Sequence, residues 1–435
     1  MLKKLFFLFS FIVFYSNCSY SQGWTTLTSP DTNAILNSVY FIDSITGYAV
    51  GENSTSVVFF QTTNGGSTWT ETLPISTTPG PNSILNSVYF IDSGTGYAVG
   101  GGGLLLKTTD GGATWANLLN FSDTDNYYLY LYSVYFTDSV TGFAVGHNML
   151  LGNAVVLKTT NGGSNWTSQS VGGITGYLNS VYFTDSMTGY AVGYNDNGII
   201  QKTINGSATW TNPIGQISIP DSSILSLNSV YFTDSDTGYA VGVVDDSLAG
   251  LIVNTTNGGI SWTALNVGSQ GLNSVYFTNS TTGYAVGGYS DNGGIILKTI
   301  NGGSTWTEQT SGTTQGLNSV YFTDSITGYA VGWNGVILKT TTGGENANIL
   351  NNTKTVNKNL KLYPNPNKGE FTVEFSNPEY EEIQIGITDL TGKNLFETTC
   401  TQELFNYNKP SLLPGVYMIV VKGDNLCQVI KMIVN

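Results

Sequence analysis

The chain has 435 residues, of which 29 are acidic and 15 are lysine, and it contains no arginine. The formal net charge of −14 argues against a nucleic acid partner, because such binding needs Lys and Arg to neutralise phosphates. The absence of arginine also removes the forked side chain that recognises carboxylates and phosphates. His147 is the single histidine, which argues against a histidine-based metal site or a Ser-His-Asp triad. We therefore expect no metal, no cofactor and no catalytic residues.

Residues 1–21 predict a secretory signal peptide. A pair of lysines precedes an apolar run from Leu5 to Tyr15, which is too short to span a bilayer. Small residues just before Gln22 suit cleavage at that point. No other segment of the sequence has the length and apolarity of a transmembrane span.

Copies of one pattern follow, reading approximately LNSVYF, TGYAVG and LKTTNGGSTW. The seven SVYF cores are 45 to 49 residues apart and begin at Ser38, Ser87, Ser133, Ser180, Ser229, Ser274 and Ser319. Each copy has four short β-prone runs bounded by Gly, Asn, Asp or Ser, which predicts a four-stranded antiparallel sheet. In the last copy we expect strands at 318–322, 328–332 and 335–340, with the Trp of each copy in strand four. Strands one and two show no clean alternation, so we expect both of their faces to be buried.

The seventh copy ends at Gly344 without the Trp that completes the others. The missing piece lies before the first copy, where Trp24-Thr25 is similar to Trp69-Thr70. A last repeat that is completed by the first residues indicates a closed ring. The sequence therefore predicts an all-β fold, with a seven-bladed β-propeller at residues 22–345 closed by the N-terminal strand.

The copies separate constant from variable connections. The turn between strands one and two, as at 43–47, and the turn between strands three and four, as at 63–66, barely change. In an up-and-down sheet these turns share one rim, which we call the turn rim. The other two connections vary in length and chemistry and share the opposite rim, the loop rim. Variable loops on a constant scaffold are typical of a binding face.

The constant turns favour a structural interpretation. The position before the Gly pair is Asn in most copies, as in Asn64, and Asp only in Asp110, so the position does not need a charge. The other turn begins with Asp, as in Asp43, and with Asn279 in the sixth copy. An Asx turn explains this pattern better than a ring of calcium ligands does.

The residue that follows each AVG is our candidate for ligand contact, and in the sixth repeat, where that residue is Gly288, the next residue is included. The positions with binding chemistry are Glu52, His147, Tyr194, Tyr289 and Trp333. Aromatic rings with a few carboxylates hold sugars by stacking and by hydrogen bonds to hydroxyl groups. The alternative is that these are separate loop residues with no shared ligand. A second aromatic run, at 126–132, we interpret as packing.

A catalytic alternative needs two positioned carboxyl groups, as in glycoside hydrolysis. Carboxylates on the loop rim are available, but none lies in a distinctive motif: Glu52, Asp196, Asp245, Asp246 and Asp291.

The composition changes after a polar linker at 346–357. Short β-prone runs with Pro and Gly between them predict a small C-terminal β-sandwich at 358–435. Cys400 and Cys427, the cysteines beyond the leader, both lie there. The sequence leaves open whether they form a disulfide.

Several motifs resemble known families. Leu362–Pro366, Leu413–Tyr417 and the final Lys431–Asn435 closely resemble the type A sorting domain of the type IX secretion system. This resemblance implies export through the periplasm and across the outer membrane, with that machinery as a partner. Thr108–Trp115 resembles the Asp-box of sialidase-like propellers, although the arginine triad of sialidases is missing.

Residues 22–345 as a whole, with their repeated GYAVG and TTDGG-TW motifs, resemble the photosystem II stability/assembly-factor-like family. That resemblance implies the propeller fold and a general binding role, and no site residue is carried over from it. We predict a secreted or surface-attached monomer that binds a glycan or protein ligand at the loop rim without catalysis. The alternative is an extracellular polysaccharide-active glycosidase or lyase that uses rim carboxylates.

Overall fold

The computed structural model describes the chain in separate ranges. They are 23–72, 83–119, 128–195, 198–212, 225–244, 249–268, 270–289, 293–345, 361–374, 383–388, 394–402, 404–408, 412–423 and 426–435. The chain divides into two compact units, Met1–Ala347 and Asn348–Asn435. Within these ranges no helix combines the length and the apolar character that crossing a bilayer requires.

The first unit consists of short strands that follow the sequence repeats. The N-terminal strand and the first two repeats contain β1 (Thr25–Thr26), β2 (Ile35–Phe41), β3 (Gly47–Glu52), β4 (Val57–Thr62), β5 (Thr70–Thr72), β6 (Leu85–Phe90), β7 (Gly96–Gly100), β8 (Leu105–Thr108) and β9 (Ala116–Asn117). The third and fourth repeats contain β10 (Leu129–Phe136), β11 (Gly142–Asn148), β12 (Asn153–Thr159), β13 (Thr167–Gln169), β14 (Tyr177–Phe183), β15 (Gly189–Asn195) and β16 (Ile199–Thr203).

The last three repeats continue this order. They contain β17 (Leu225–Phe232), β18 (Gly238–Val244), β19 (Ala249–Thr255), β20 (Thr263–Asn266), β21 (Leu272–Phe277), β22 (Gly283–Gly287), β23 (Ile295–Thr299), β24 (Thr307–Gln309), β25 (Leu317–Phe322), β26 (Gly328–Gly332), a 3-10 turn (Trp333–Gly335) and β27 (Ile337–Thr340).

Consecutive strands of a repeat are antiparallel neighbours. The described sheets run β2-β3-β4-β5, β6-β7-β8-β9, β10-β11-β12-β13, β14-β15-β16, β17-β18-β19-β20 and β21-β22-β23-β24. In the fourth repeat a single bridge, Lys202 to Thr211, stands where the others have a fourth strand, and β15 also pairs with β17. The seventh repeat is completed by β1, with Thr25 opposite Lys339 and Thr26 opposite Leu338.

Two details of the strands differ from the sequence prediction. In the seventh repeat, strand three begins at Ile337 instead of 335, because Trp333–Gly335 form a 3-10 turn with Asn334 at φ 52°. The Trp residues precede the outer strands instead of lying in them, as Trp69 precedes β5. Trp69 is buried with its ring edge-on to Phe41, so it packs between strands and pairs with none.

The prediction that strands one and two are buried on both faces holds for strand two and is wrong for strand one. Strand two is buried on both faces, as in β3. Strand one is not: in β2, Val39 and Phe41 are buried, whereas Ser38 and Tyr40 are partly exposed. First strands of successive repeats contact one another, and β2 contacts β25, so these side chains face an inner surface that neighbouring repeats share.

The same hydrogen bond, from a strand-one tyrosine to a main-chain oxygen, joins six of the seven repeats to the next. The hydroxyl of Tyr40 donates to the main-chain oxygen of Phe90 at 2.9 Å, and Tyr321 of the last repeat donates to Phe41 of the first at 3.0 Å. Neighbouring rings of this set have centroids 5.0 to 5.5 Å apart; the residues are Tyr40, Tyr89, Tyr135, Tyr182, Tyr231, Tyr276 and Tyr321.

The glycine of each AVG is required by a close approach of two main chains. Strand one carries a bulge between Leu36 and Ser38, which brings the Ile35 carbonyl against strand two. A Cβ at Gly51 would overlap that carbonyl oxygen, and the other repeats show the same overlap. The constant glycine is therefore a packing requirement of the bulged hairpin.

The second unit has two antiparallel sheets. Its strands are β28 (Lys361–Tyr363), β29 (Glu370–Glu374), β30 (Ile383–Thr388), β31 (Asn394–Cys400), β32 (Leu404–Asn408), β33 (Gly415–Gly423) and β34 (Leu426–Val434). The sheets run β28-β29-β32 and β31-β30-β33-β34. Phe371 and Tyr407 of the first sheet share one core with Ile385, Ile419 and Met432 of the second, as in a β-sandwich.

The sheet order decides against a disulfide between the two cysteines. Cys400 ends β31 and Cys427 lies in β34, three strands away. Strands are spaced about 4.8 Å apart, so the Cα atoms lie about 14 Å apart, beyond the roughly 7 Å that a disulfide bridges. The Cys400 thiol instead donates to the main-chain oxygen of Gln402 at 3.4 Å.

Candidate functional site

Main-chain hydrogen bonds assemble the two rims as the repeats predict. On the turn rim, Gly65 donates to the Ile45 carbonyl at 2.8 Å, which joins the strand three-to-four turn to the strand one-to-two turn. On the loop rim, Trp333 donates to the Gly316 carbonyl at 3.0 Å, which joins a strand two-to-three link to the link between repeats. The position after AVG therefore lies on the loop rim.

The Asx residues of the turn rim act as turn formers. The Asp43 carboxylate accepts from the main-chain N–H groups of Ile45 at 2.8 Å and Thr46 at 2.6 Å, and these bonds lower the pKa of Asp43. Asn279 accepts the equivalent bonds. Asn64 Oδ1 accepts from the Thr68 N–H at 2.9 Å. These contacts confirm the structural interpretation, because an amide serves as well as a carboxylate.

The lysines of residues 22–345 point to the turn rim. They lie in strand three and donate to the carbonyl of the first glycine of the next repeat's Gly-Gly turn. The pairs are Lys107 with Gly162, Lys158 with Gly206, Lys202 with Gly258, Lys298 with Gly343 and Lys339 with Gly65, at 2.5 to 2.9 Å. Residues 22–345 contain no other lysine and no arginine, so the sequence of the loop rim has neither of these cationic side chains.

On the loop rim, five rings form a continuous group between the third and fourth repeats, which we call the aromatic cluster: Tyr130, Tyr132, His147, Tyr177 and Tyr194. His147 stacks on Tyr132 with centroids 5.6 Å apart and planes 7° apart. Tyr177 lies 5.5 Å from His147 and 5.0 Å from Tyr194. Tyr130 lies 5.6 Å from His147 and packs against Gly101, where a Cβ would come within 2.6 Å of its ring.

Burial sets the charge state of the cluster. It lowers the pKa of His147, so the imidazole is neutral near pH 7. It also raises the pKa of Tyr132 to about 12, so that hydroxyl stays protonated. The cluster is therefore an uncharged aromatic surface with hydroxyl and imidazole groups at its edges.

The remaining candidates lie in other repeats, outside the aromatic cluster. Glu52 is half-buried at the end of β3, and burial raises the pKa of its carboxyl. Tyr289 and Trp333 are 38% and 40% exposed. The structure thus brings His147 and Tyr194 together through Tyr177, while a single site that contains all five candidates stays a prediction.

The carboxylates of the catalytic alternative are mostly outside the described residues. Asp196, Asp245, Asp246 and Asp291 lie in the gaps, which leaves Glu52 as the described member of that set. In the ranges that the structure describes, no three His, Cys, Asp or Glu side chains are grouped as metal ligands would be.

Sequence reasoning missed three members of the cluster, Tyr130, Tyr132 and Tyr177. Tyr132 falls in the run interpreted as packing, yet it stacks on the candidate His147. Tyr177 lies just before the LNSVYF motif of its repeat, outside the repeated pattern. A signal was present, because Tyr132 replaces the Asn that precedes Ser in the other six repeats, as in Asn37 and Asn86.

An apolar hairpin tip stands beside the cluster. Met149, Leu150 and Leu151 follow His147 by two to four residues and are 56%, 61% and 69% exposed. Asn148 Oδ1 accepts from the main-chain N–H groups of Leu150 and Leu151 and holds the tip in a tight turn.

Two family models match the chain. Residues 361–435 match the secretion system C-terminal sorting domain, and residues 16–123 match the photosynthesis system II assembly factor YCF48. Both expected resemblances are confirmed. The sorting domain indicates export by type IX secretion to the cell surface or beyond. Among curated proteins, none matches this sequence.

Solved structures show the same propeller fold. A structure described as YCF48 bound to D1 peptide is 19% identical, with a TM-score of 0.57, and the match covers 74% of this chain and 97% of that one. YCF48 from Cyanidioschyzon merolae is also 19% identical, with a TM-score of 0.56 and coverages of 73% and 98%. An ancestral GH74 enzyme is 13% identical, with a TM-score of 0.57 and coverages of 94% and 63%. The first unit of this all-β protein is therefore a β-propeller, and these identities carry no function with them.

Proposed function

We propose that this exported propeller is a non-catalytic binding protein whose ligand, a glycan or a protein, contacts the loop rim. The observation that carries the proposal is the aromatic cluster, whose half-buried rings lie among the variable loops. Partly exposed aromatic rings at a rim of a rigid scaffold are typical of binding sites. On the turn rim, the polar side chains and the lysines make hydrogen bonds within and between the turns. We therefore assign that rim a structural role.

The proposal includes the finer architecture. We infer seven blades over residues 22–345, closed by β1, and a monomer that residues 346–357 link to the sorting domain at 358–435. The pairing of β1 with β27 and the bond from Tyr321 to Phe41 support closure. Residues 1–21 are proposed to be the leader, and the turn at Thr108–Trp115 to be an Asp-box.

A polysaccharide-active enzyme is the second candidate function. Glu52 favours it, because a carboxyl whose pKa is raised by burial suits a general acid. The fold similarity to a GH74 enzyme fits this function as well as it fits binding. Catalysis would need a second carboxylate about 5–10 Å from that of Glu52.

A paired experiment separates the two functions. Purified protein would be tested for binding on an oligosaccharide array and, with the same polysaccharides, for release of reducing ends. Binding without release, unchanged in Glu52→Gln, is the expected result. Release that Glu52→Gln abolishes would establish the enzyme instead.

A further inference from the structure

The inner strands of the repeats are almost identical, and the third repeat departs from the rest. In six repeats an Asn precedes the Ser of SVYF, and its side chain donates to a Leu carbonyl of the next repeat. These bonds measure 2.9 to 3.0 Å and join Asn37 to Leu85, Asn86 to Leu131, Asn179 to Leu227, Asn228 to Leu272, Asn273 to Leu317 and Asn318 to Leu36. We call this set the amide belt. Tyr132 has no amide and interrupts the belt between the third and fourth repeats.

The interruption coincides with the aromatic cluster. Instead of reaching the next repeat's carbonyl, Tyr132 stacks on His147 and lies 6.1 Å from Tyr177. The interruption also affects Asn179. The oxygens of Asn228, Asn273, Asn318 and Asn37 each accept a long 3.4 Å contact from the preceding Asn. Asn179 follows Tyr132 in the belt, so no asparagine precedes it to make this contact.

The charges around the loop rim restrict the ligand. The lysines of residues 22–345 are all in strand three and serve the turn rim, and there is no arginine. The connections of the loop rim carry acidic residues such as Asp31 and Glu52. An anionic ligand would meet repulsion there and find no cation to pair with it.

We propose that the aromatic cluster and Asn179 form a subsite for an uncharged glycan. The proposal rests on the binding function proposed above. The C–H groups of a sugar ring pack on the electron-rich faces of tyrosine rings, and its hydroxyl groups donate to and accept from the neighbouring polar atoms. Ring faces of this kind fit a pyranose better than a basic peptide, because the described cluster contains no carboxylate to pair with lysine.

The sequence itself supplies a variant that tests the subsite. Tyr132→Asn restores the residue of the other six repeats, so the chain should fold and extend the amide belt. Cello-, xylo-, manno- and chito-oligosaccharides, which are neutral, would first be tested for binding to the wild-type protein. The affinity of each variant for those that bind would then be measured by calorimetry. We expect Tyr132→Asn and Tyr194→Ala each to weaken binding about tenfold or more, the equivalent of one aromatic contact. Tyr132→Phe keeps the ring and should keep the affinity.

Three controls make the outcomes distinct. Polygalacturonate and heparin should not bind, and binding of either would overturn the neutral-ligand inference. A neutral glycan could bind with an affinity that falls in Trp333→Ala and not in Tyr132→Asn. The aromatic cluster would then not be the subsite, while the proposed binding function would stand.

A peptide partner would give a different pattern. If the folded wild-type protein binds oligolysine and no neutral glycan, the subsite inference fails and a protein-binding function remains. If Leu150→Ser at the apolar tip, and not Tyr132→Asn, abolishes binding, the tip carries the contact instead. If wild type binds neither class but releases reducing ends from polysaccharide, both the subsite and the binding function are wrong.

Discussion

Trp24 joins the N-terminal strand to a core made by residues about 300 positions later in the sequence. Its side chain is 3% exposed and lies edge-on to Phe322 at 5.9 Å and to Tyr284 at 6.4 Å. Its indole N–H donates to Gln309 at 3.0 Å. Trp24→Ala should lower the free energy of unfolding by about 3–5 kcal/mol, because it removes a buried aromatic ring.

Urea denaturation of the propeller unit measures this effect. Thr26→Ala, on the same strand and exposed, is the matched control and should change stability little. Equal midpoints for Trp24→Ala and wild type would show that the N-terminal strand does not complete the last repeat in solution.

The candidate site was only partly predictable from individual residues. His147 and Tyr194 follow the AVG motif, so their place on the loop rim could be read from the repeat alignment. Tyr177 could not, because its contact with them depends on how far two neighbouring sheets approach each other. Glu52 and Trp333 occupy equivalent sequence positions and Tyr289 lies one residue further on, yet this alignment places them on one rim without bringing them into contact.

At the scale of elements, repeats differ in how many side chains donate to the glycine carbonyl of the next repeat's turn. In the seventh repeat, Lys339 and Tyr329 both donate to the Gly65 carbonyl, at 2.5 and 2.8 Å, and a carbonyl oxygen has two lone pairs to accept them. In the fifth repeat Asn254 stands at the position of the lysine. The Gly302 carbonyl accepts a hydrogen bond from the Tyr239 hydroxyl at 2.9 Å, without a lysine as second donor.

Asn254→Lys should therefore strengthen the contact between the fifth and sixth repeats. A new bond to Gly302 is expected to raise the free energy of unfolding by about 0.5–1.5 kcal/mol. Thr263→Lys adds the same charge at the exposed position opposite Asn254 and should have no such effect. Equal melting temperatures for Asn254→Lys and Thr263→Lys would contradict the prediction.

The strand pattern was predictable because the repeats act as an alignment within one chain. Strand two of the last copy was predicted at 328–332 and is found at Gly328–Gly332. Strand one was expected to be buried on both faces and is not, because its exposed side depends on the inner surface that the repeats form together. The separation of Cys400 from Cys427 also required the strand order of the second unit, which is not sequential.

For the whole molecule, export depends on the second unit. The match of residues 361–435 to a secretion sorting domain implies that this segment is the export signal. Deleting 358–435 should leave a folded propeller in the periplasm, because the first unit has its own core. Cell fractionation with immunoblotting measures this, and deletion of 350–357 is the control that should not block export. Normal levels of the truncated protein outside the cell would contradict the assignment.

The inner tyrosines predict how stability depends on pH. Burial raises the pKa of Tyr40 and of its counterparts Tyr89, Tyr135, Tyr182, Tyr231, Tyr276 and Tyr321. In the unfolded chain these hydroxyls ionise near pH 10. Above that pH the unfolded state loses protons that the folded state retains, so the stability present at neutral pH is lost as the pH rises.

Urea unfolding between about pH 8 and pH 11 tests this linkage. The free energy of unfolding should be flat at first and then fall, by about 1.4 kcal/mol per pH unit for each tyrosine that stays protonated in the fold. Tyr135→Phe removes one ionisable group and the hydrogen bond to Phe183, so it should start less stable but decline less steeply. The slope is the decisive quantity, since a purely local loss of one hydrogen bond would lower the curve without changing its steepness. A curve that stays flat to pH 11 would mean that the tyrosine hydroxyls are not buried between the repeats.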